Sequence, residues 1–120
     1  MLNSDSTLSQ KRINQLYNNG DRLFTKSLIV IYEIIKNENE IKKPIISVPK
    51  KKIKKAVHRN YIKRILREIF FINKDFYSNQ KSLNIIIIYN STYLIDFNKL
   101  SKELLPLFTV LKKKLNENYQ

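Results

Sequence analysis

The stretch KKKIKKAVHRNYIKRILREIF, residues Lys50–Phe70, decides how the rest of the chain is arranged. It belongs to a longer segment, Ile41 to Arg67, which carries eleven Lys or Arg and not one Asp or Glu. The whole chain of 120 residues has a net charge of +13 at pH 7, and this segment supplies most of it. Because like charges repel one another in a folded protein, the pattern predicts a surface that binds a polyanion.

The second half of the stretch has the period of an amphipathic helix. Residues 56–72, wound at about 100° per residue, place a set of apolar side chains in one arc, which is predicted to be buried: Tyr61, Ile62, Ile65, Leu66, Ile69 and Ile72. The neighbouring arc is polar and basic: Arg59, Asn60, Lys63, Arg64 and Arg67. Arginine binds phosphate oxygens through two hydrogen bonds, and asparagine can bond sugar or base edges. This arc is therefore the predicted contact with nucleic acid.

A basic helix face is often only a solvated surface, and composition alone does not separate the two interpretations. Here the arc has no acid before Glu68, so ion pairs within the helix are scarce. Three of the five arginines of the chain lie between Arg59 and Arg67. A lysine-rich loop also leads straight into the helix, with Lys50, Lys51, Lys52, Lys54 and Lys55. These features favour binding.

The elements before the basic helix are predicted from caps, turn residues and β-branched runs. Ser9 caps a first helix that ends near Asn19, where Gly20 follows. Thr25–Ile35 is predicted to be a strand. The polar residues 36–43 are predicted to form a hairpin loop, which makes Pro44–Val48 a second strand antiparallel to the first. Residues 1–7 are expected to be a flexible tail.

The elements after the basic helix follow a polar loop at residues 73–82. Leu83–Tyr89 is apolar on both faces, as in a central strand, so strand, basic helix and strand form a βαβ crossover. Asp96 is predicted to cap a last helix, which Pro106 should kink or split near Leu105. Its apolar face contains Leu100, Leu104, Leu107, Phe108, Leu111 and Leu115.

These elements predict an α+β fold in one nucleic-acid-binding domain over residues 1–120. A small, mostly antiparallel sheet of about four strands carries helices packed on it as an α/β sandwich. No run approaches the roughly 18 apolar residues of a membrane span, and the first residues lack the pattern of a signal peptide. A cytoplasmic protein with no membrane partner is expected.

Candidate catalytic groups are scattered along the sequence. The ten acidic residues form no pair with the spacing of an acid–base site, and the chain has one His and no Cys. The one glycine, Gly20, excludes a glycine-rich phosphate loop. We expect no catalytic residue, no metal site, no cofactor and no small-molecule ligand in this protein.

The basic helix resembles the signature of a known family. Its residues Ala56-Val57-x-Arg59-Asn60-x-x-Lys63-Arg64-x-x-Arg67-Glu68 are similar to the signature of the protein subunit of bacterial ribonuclease P. The preceding residues, 46–51 (ISVPKK), are similar to the strand end before that signature. The rest of the chain matches the family in length and element order. The sequence departs from the family pattern at Lys54, where a glycine is common, and at Pro49.

The resemblance implies a fold and separate roles for the RNA and protein subunits. It implies the order α-β-β-β-α-β-α, with an extra short strand near Asp21–Thr25 and a left-handed crossover at the basic helix. In that family the RNA subunit holds the Mg²⁺ ions and cleaves the bond. The protein binds this catalytic RNA and the 5′ leader of precursor tRNA, so that the leader is removed to give the mature 5′ end at modest Mg²⁺.

The resemblance also implies roles for single positions. Lys50, Lys51, Arg59, Asn60, Lys63, Arg64 and Arg67 should face the catalytic RNA. The family uses aromatic residues of the first helix and sheet for the leader, and Tyr17 matches one of them. Ile13 stands where another aromatic is usual. Tyr32 is a further candidate on the sheet, with core packing as the alternative.

Two other functions fit a basic helix of this kind. One is a structural RNA-binding protein of ribosomal type, which has no partner enzyme. The other is a helix that reads duplex DNA in the major groove. Charge alone does not separate these classes, whereas the ordered signature followed by an apolar strand favours the ribonuclease P subunit.

Overall fold

The computed structural model describes residues 9–35, 44–73 and 82–117. Within them lie three helices, which are α1 (Gln10–Asn19), α2 (Ala56–Ile72) and α3 (Phe97–Glu117). The strands are β1 (Asp21–Phe24), β2 (Leu28–Ile35), β3 (Ile45–Ser47) and β4 (Ser82–Tyr89). The order α-β-β-β-α-β-α and the α+β class are as predicted. The predicted tail and the loop at 36–43 lie outside the described residues.

The sheet has strand order β1-β2-β4-β3. β2 pairs with β1 and with β4 in antiparallel fashion, and the β2–β4 pairing runs from Leu28↔Tyr89 to Ile35↔Ser82. β3 pairs with β4 in parallel. β4 is therefore a central strand, and β3, α2 and β4 form the predicted βαβ unit.

The predicted pairing of β3 with β2 is wrong. β4 lies between them and uses its full length against β2, so the short β3 pairs with the remaining edge of β4. The strand predicted at Thr25–Ile35 is also shorter at its start. Thr25 Oγ1 accepts a hydrogen bond from the Leu28 N–H at 3.0 Å, which makes residues 25–27 a turn, and β1 precedes it.

The main core fills the space between one face of the sheet and the helices α2 and α3. Alternate residues of the two central strands point into it, including Leu28, Val30, Ile85, Ile87 and Tyr89. All six residues predicted for the apolar face of α3 are buried there. Phe70 of α2 meets Phe108 of α3 edge to face, with ring centroids 4.9 Å apart.

This contact explains a second correction, which concerns α2. The predicted buried arc included Tyr61 and Ile72, but these are 39% and 59% exposed, whereas Phe70 is buried. The other four residues of the arc are buried as predicted: Ile62, Ile65, Leu66 and Ile69. Because α3 covers the side of α2 that carries Phe70, the buried stripe is rotated toward that residue and away from Tyr61.

Helix α1 packs on the opposite face of the sheet, over a smaller cluster formed by Leu16, Ile31 and Ile86. Ser9 caps the helix as predicted, because its Oγ accepts the Arg12 N–H at 3.2 Å. At the other end Gly20 lies so close to its own helix and to the sheet that an added Cβ would be 2.7 Å from Leu16 O of α1 and 2.8 Å from Ile31 Cγ2 of β2. The close approach, rather than an unusual dihedral angle, requires glycine here.

Helix α3 begins as predicted and continues through Pro106. Asp96 Oδ1 accepts the Lys99 N–H at 2.9 Å. The helix is unbroken from Phe97 to Glu117, so it is not split near Leu105, and the alternative of a kink at Pro106 stays a prediction. The buried leucines on both sides of Pro106 hold the two halves on the same core, which offsets the hydrogen bond that proline cannot donate.

Candidate nucleic-acid interface

Helix α2 turns its charged side to solvent because its apolar stripe is buried against the sheet and α3. Asn60, Arg64 and Arg67 are exposed and lie on the side of the helix away from the buried stripe. Lys63 is half-buried at the edge of the stripe. Three of the predicted contact residues on α2 are thus accessible, and Lys63 is partly accessible.

The lysine-rich loop before α2 has the same accessibility. Four of its lysines are exposed and Lys52 is half-buried, whereas Ile53 is buried and anchors the loop to the main core. We call this loop together with the α2 residues the basic surface: Lys50, Lys51, Lys52, Lys54, Lys55, Asn60, Lys63, Arg64 and Arg67.

Arg59 differs from the other predicted contacts. Its Nη1 donates to two backbone carbonyls of the loop, Ile53 O at 2.9 Å and Lys54 O at 2.6 Å. The loop is also closed by the N–H groups of Lys52 and Ile53, which donate to Pro49 O. Arg59 therefore fixes the lysine loop against the start of α2, a role that the sequence pattern did not reveal.

The start of α2 adds to the positive potential of the basic surface. No side chain caps the helix at Lys55, and the first turn contains no acidic residue. The N–H groups of the first turn and the helix dipole place partial positive charge at this end. Lys54 and Lys55 directly precede the helix, so their charges and the dipole act at the same place.

A second candidate surface lies on the other face of the sheet, around α1 and β1. We call it the leader surface and define it by Ile13, Tyr17, Arg22 and Phe24. Tyr17 is 49% exposed, and Arg22 Cζ lies 5.1 Å from the centroid of its ring. Arg22 Nη2 also donates to Tyr17 O at 2.7 Å, so the cation is held over the aromatic ring.

Phe24 and Arg22 were missed by the sequence analysis. Phe24 pairs with Ile29 and Arg22 with Ile31, and these isoleucines belong to the cluster under α1. Side chains of directly paired residues point to the same face, so both residues share the face of Tyr17. Phe24 is 69% exposed. The only sequence signal for this face is the alternation within Asp21–Phe24, which is weak because the strand has four residues.

Tyr32 does not belong to the leader surface. It is 3% exposed in the main core, on the face of the sheet opposite to α1. Burial, and then the charge of Asp21, raise the pKa of Tyr32 above 10.0. A base cannot stack on a buried ring, so the alternative of core packing applies. Ile13 is half-buried and packs on the cluster under α1.

Polar contacts hold α1 on the sheet beside the leader surface. Arg12 forms an ion pair with Glu33 at 2.9 Å, and Asn84 Nδ2 donates to Glu33 Oε2 at 3.0 Å. Asn84 is buried, and its Oδ1 has no hydrogen-bond partner among the residues that the structure describes. These contacts fix the position of α1 and contribute no catalytic arrangement.

Within the described ranges no three His, Asp or Glu side chains lie close enough to hold a metal ion. None of the helices found there is long and apolar enough to cross a membrane.

Comparisons with known proteins identify the family to which this chain belongs. The family model described as ribonuclease P matches residues 1–112 of the chain. A relative from Syntrophus aciditrophicus (strain SB), named ribonuclease P protein component, is 35% identical over 96 residues, which are 79% of this chain and 76% of the relative. This chain belongs to the ribonuclease P protein family. Membership implies an RNA partner and a place in a complex that processes tRNA.

Solved structures agree with the fold. The RNase P protein from Thermotoga maritima has a TM-score of 0.69 and 26% identity, covering 84% of this chain and 93% of that one. The RNase P protein from Staphylococcus aureus has a TM-score of 0.73 at 23% identity, covering 87% and 92% of the two chains. The three helices and the mixed four-stranded sheet are thus the fold of these proteins.

Proposed function

We propose that this protein is the subunit of ribonuclease P that binds the catalytic RNA and the 5′ leader of precursor tRNA. It supports endonucleolytic removal of the leader, which gives the mature 5′ end of the tRNA. The observation that carries the proposal is the solvent-exposed stripe of Asn60, Arg64 and Arg67 on α2, continuous in sequence with a lysine loop. Family membership supplies the identity of the RNA.

The physical role is the replacement of counterions between two folded RNAs. Each Lys or Arg that neutralises a phosphate releases a condensed cation, which is entropically favourable at low salt. The basic surface contains eight Lys and Arg, and α2 carries only Glu68 as an acid. This surface can therefore lower the repulsion between catalytic RNA and substrate.

The leader surface has a different chemistry, suited to single-stranded RNA. An exposed Tyr17 and an exposed Phe24 offer ring faces for unpaired bases, and Arg22 beside them offers charge for the backbone. Stacking of a base on such a ring contributes ~1–3 kcal/mol and depends little on base identity. That tolerance suits leaders of varied sequence.

Bond cleavage is assigned to the RNA. In this proposal Mg²⁺ acts at the active site of the RNA, where it supplies the activated nucleophile and stabilises the leaving oxygen. The protein's own residues position the two RNAs, bind no cofactor and take no proton from the substrate. A cytoplasmic site of action follows from the proposed substrate.

The decisive experiment measures cleavage of precursor tRNA by the cognate catalytic RNA at low Mg²⁺, with and without this protein. We expect leader removal to be accelerated by the protein and the protein alone to be inactive. Absence of any stimulation, at a protein concentration where the RNA is shown to be bound, would falsify the proposal. Hydrolysis by the purified protein alone would also contradict it.

The basic surface can be tested separately with Arg64→Ala and Arg67→Ala. Each variant should weaken binding to the catalytic RNA and reduce the slope of log affinity against log salt by about 1. The melting temperature should change little, because both side chains are exposed. Unchanged binding together with a lower melting temperature would make the stripe a structural feature instead.

A further inference from the structure

The structure contains a cavity beside the basic surface, and Arg64 is the one residue of its lining that belongs to the proposed contacts with RNA. It has a volume of about 440 Å³ and lies where the first turns of α2 meet the segment between β4 and α3. Its lining is formed by Val57, His58, Tyr61, Arg64, Leu94 and Asp96. The volume falls in the range of sites that hold a small organic group, about 300–1,000 Å³.

The aromatic and apolar parts of this lining are accessible. Tyr61 and Leu94 are 39% and 48% exposed. Val57 and Tyr61 are four residues apart on α2, so their side chains are neighbours on one flank of the helix. The cavity thus has an aromatic ring and aliphatic groups facing solvent together.

The wall opposite α2 is held in place by a buried tyrosine. The hydroxyl of Tyr89 donates to the carbonyl oxygen of Tyr93 and accepts the Ile95 N–H at 3.2 Å. Asp96 is fixed as the cap of α3 by its bond from the Lys99 N–H. The segment that carries Leu94 and Asp96 is therefore anchored on both sides, so this wall of the open cavity has a fixed position.

The charges around the cavity favour a nucleobase over a phosphate as its ligand. Arg64 belongs to both the cavity and the basic surface. RNA bound at the basic surface would therefore lie next to the cavity. A phosphate would meet the Asp96 carboxylate and aliphatic groups inside, which disfavour it. A nucleobase instead offers a flat face for Tyr61 and a polar edge for Asp96, which can accept from an exocyclic amine.

We propose that this cavity binds one unstacked nucleobase of the catalytic RNA. The proposal rests on the proposed function, because it takes the partner of the basic surface to be that RNA. Tyr61 provides the stacking face, Arg64 binds the backbone beside the base, and Asp96 favours a base with an amino group, namely adenine, cytosine or guanine. The leader is not the source of the base, since the leader surface lies on the opposite side of the sheet.

The test combines binding and base footprinting on the cognate ribonuclease P RNA. Tyr61→Ala is compared with Tyr61→Phe, which keeps the ring, and with Tyr93→Ala, which removes an exposed aromatic outside the cavity lining. Dissociation constants are measured over a series of KCl concentrations. Dimethyl sulfate and kethoxal then report which adenine, cytosine or guanine bases the protein protects.

We expect Tyr61→Ala to weaken RNA binding about 5- to 150-fold, which corresponds to ~1–3 kcal/mol, with an unchanged salt slope. Tyr61→Phe and Tyr93→Ala should bind like the original protein. One base in the RNA should be protected by these three proteins and become reactive with Tyr61→Ala. Leu94→Glu, which places a carboxylate at the cavity, should give the same loss of protection without removing Tyr61.

Several results would overturn the proposal. Equal binding by Tyr61→Ala and the original protein would show that the cavity is empty in the complex, and so would a footprint that neither Tyr61→Ala nor Leu94→Glu alters. Protection of a base in precursor tRNA rather than in the catalytic RNA would assign the cavity to another partner. Failure of the original protein to bind the catalytic RNA at all would instead refute the proposed function.

Discussion

At the scale of single residues, one arginine of the signature also helps to build the candidate interface, through hydrogen bonds within the protein. Arg59 donates to the carbonyls of Ile53 and Lys54 and so holds the lysine loop at the start of α2. Hydrogen bonds from charged donors contribute about 1.5–3 kcal/mol. Position in a basic stripe therefore does not by itself define a contact with the ligand.

We expect Arg59→Ala to lower both the free energy of unfolding, by about 1–3 kcal/mol, and the affinity for the catalytic RNA. Amide hydrogen exchange in the loop at residues 50–55 should become faster, because the loop loses its anchor. Arg67→Ala is the matched control, since it removes the same charge from an exposed position. Unchanged exchange in Arg59→Ala would mean that the backbone bonds of the loop suffice to hold it.

Phe24 is the second residue whose role the structure brings out. It is exposed on the face that carries Tyr17 and Arg22. We expect Phe24→Ala to weaken binding of precursor tRNA to the holoenzyme by about 5- to 150-fold, with no effect on mature tRNA, which lacks the leader. Tyr93→Ala serves as the control for an exposed aromatic elsewhere. An equal loss for mature tRNA would place Phe24 outside the leader surface.

At the scale of elements, local signals in the sequence predicted each helix and the central strand. Capping residues set the starts of α1 and α3, and the apolar run 83–89 identified β4. The partner of β3 could not be predicted, because a strand of three residues carries no signal of which edge it will join. The accessible face of β1 was missed for a similar reason, since four residues give little periodicity.

The orientation of the buried stripe on α2 could not be predicted, for a different physical reason. Its apolar residues extend over more than one face, so the period alone leaves open which of them meet the core. The position of α3 determines which residues of α2 are buried, because Phe108 of α3 packs on Phe70 of α2. The candidate site was predictable in outline because charge is confined to one side, while the cavity beside Tyr61 depends on a segment far away in sequence.

The orientation of the buried stripe on α2 can be tested with two substitutions in that helix. Ile65→Ala should lower the free energy of unfolding by about 2–5 kcal/mol, because Ile65 is buried. Ile72→Ala, the matched control, should change it by less than about 0.5 kcal/mol. Urea denaturation followed by circular dichroism measures both. A large effect at Ile72 would mean that the helix is packed as the sequence period suggested.

At the scale of the whole molecule, the two faces of the sheet carry two separate candidate surfaces. The face under α2 and α3 contains the main core and supports the basic surface, while the face under α1 has the smaller cluster and the leader surface. The net charge of +13 includes the eight cations of the basic surface. Because folding holds these cations on one surface, we expect their mutual repulsion to lower the stability of the protein when no anion is bound.

A polyanion that binds only the folded chain should therefore stabilise it strongly. At a free concentration of 100 times its dissociation constant, such a ligand adds about 2.7 kcal/mol. We expect the melting temperature to rise with added catalytic RNA, and with sulfate more than with chloride at equal ionic strength. Arg64→Ala combined with Arg67→Ala should reduce the rise. If chloride were as effective as sulfate, general screening rather than anion binding at the basic surface would account for the stabilisation.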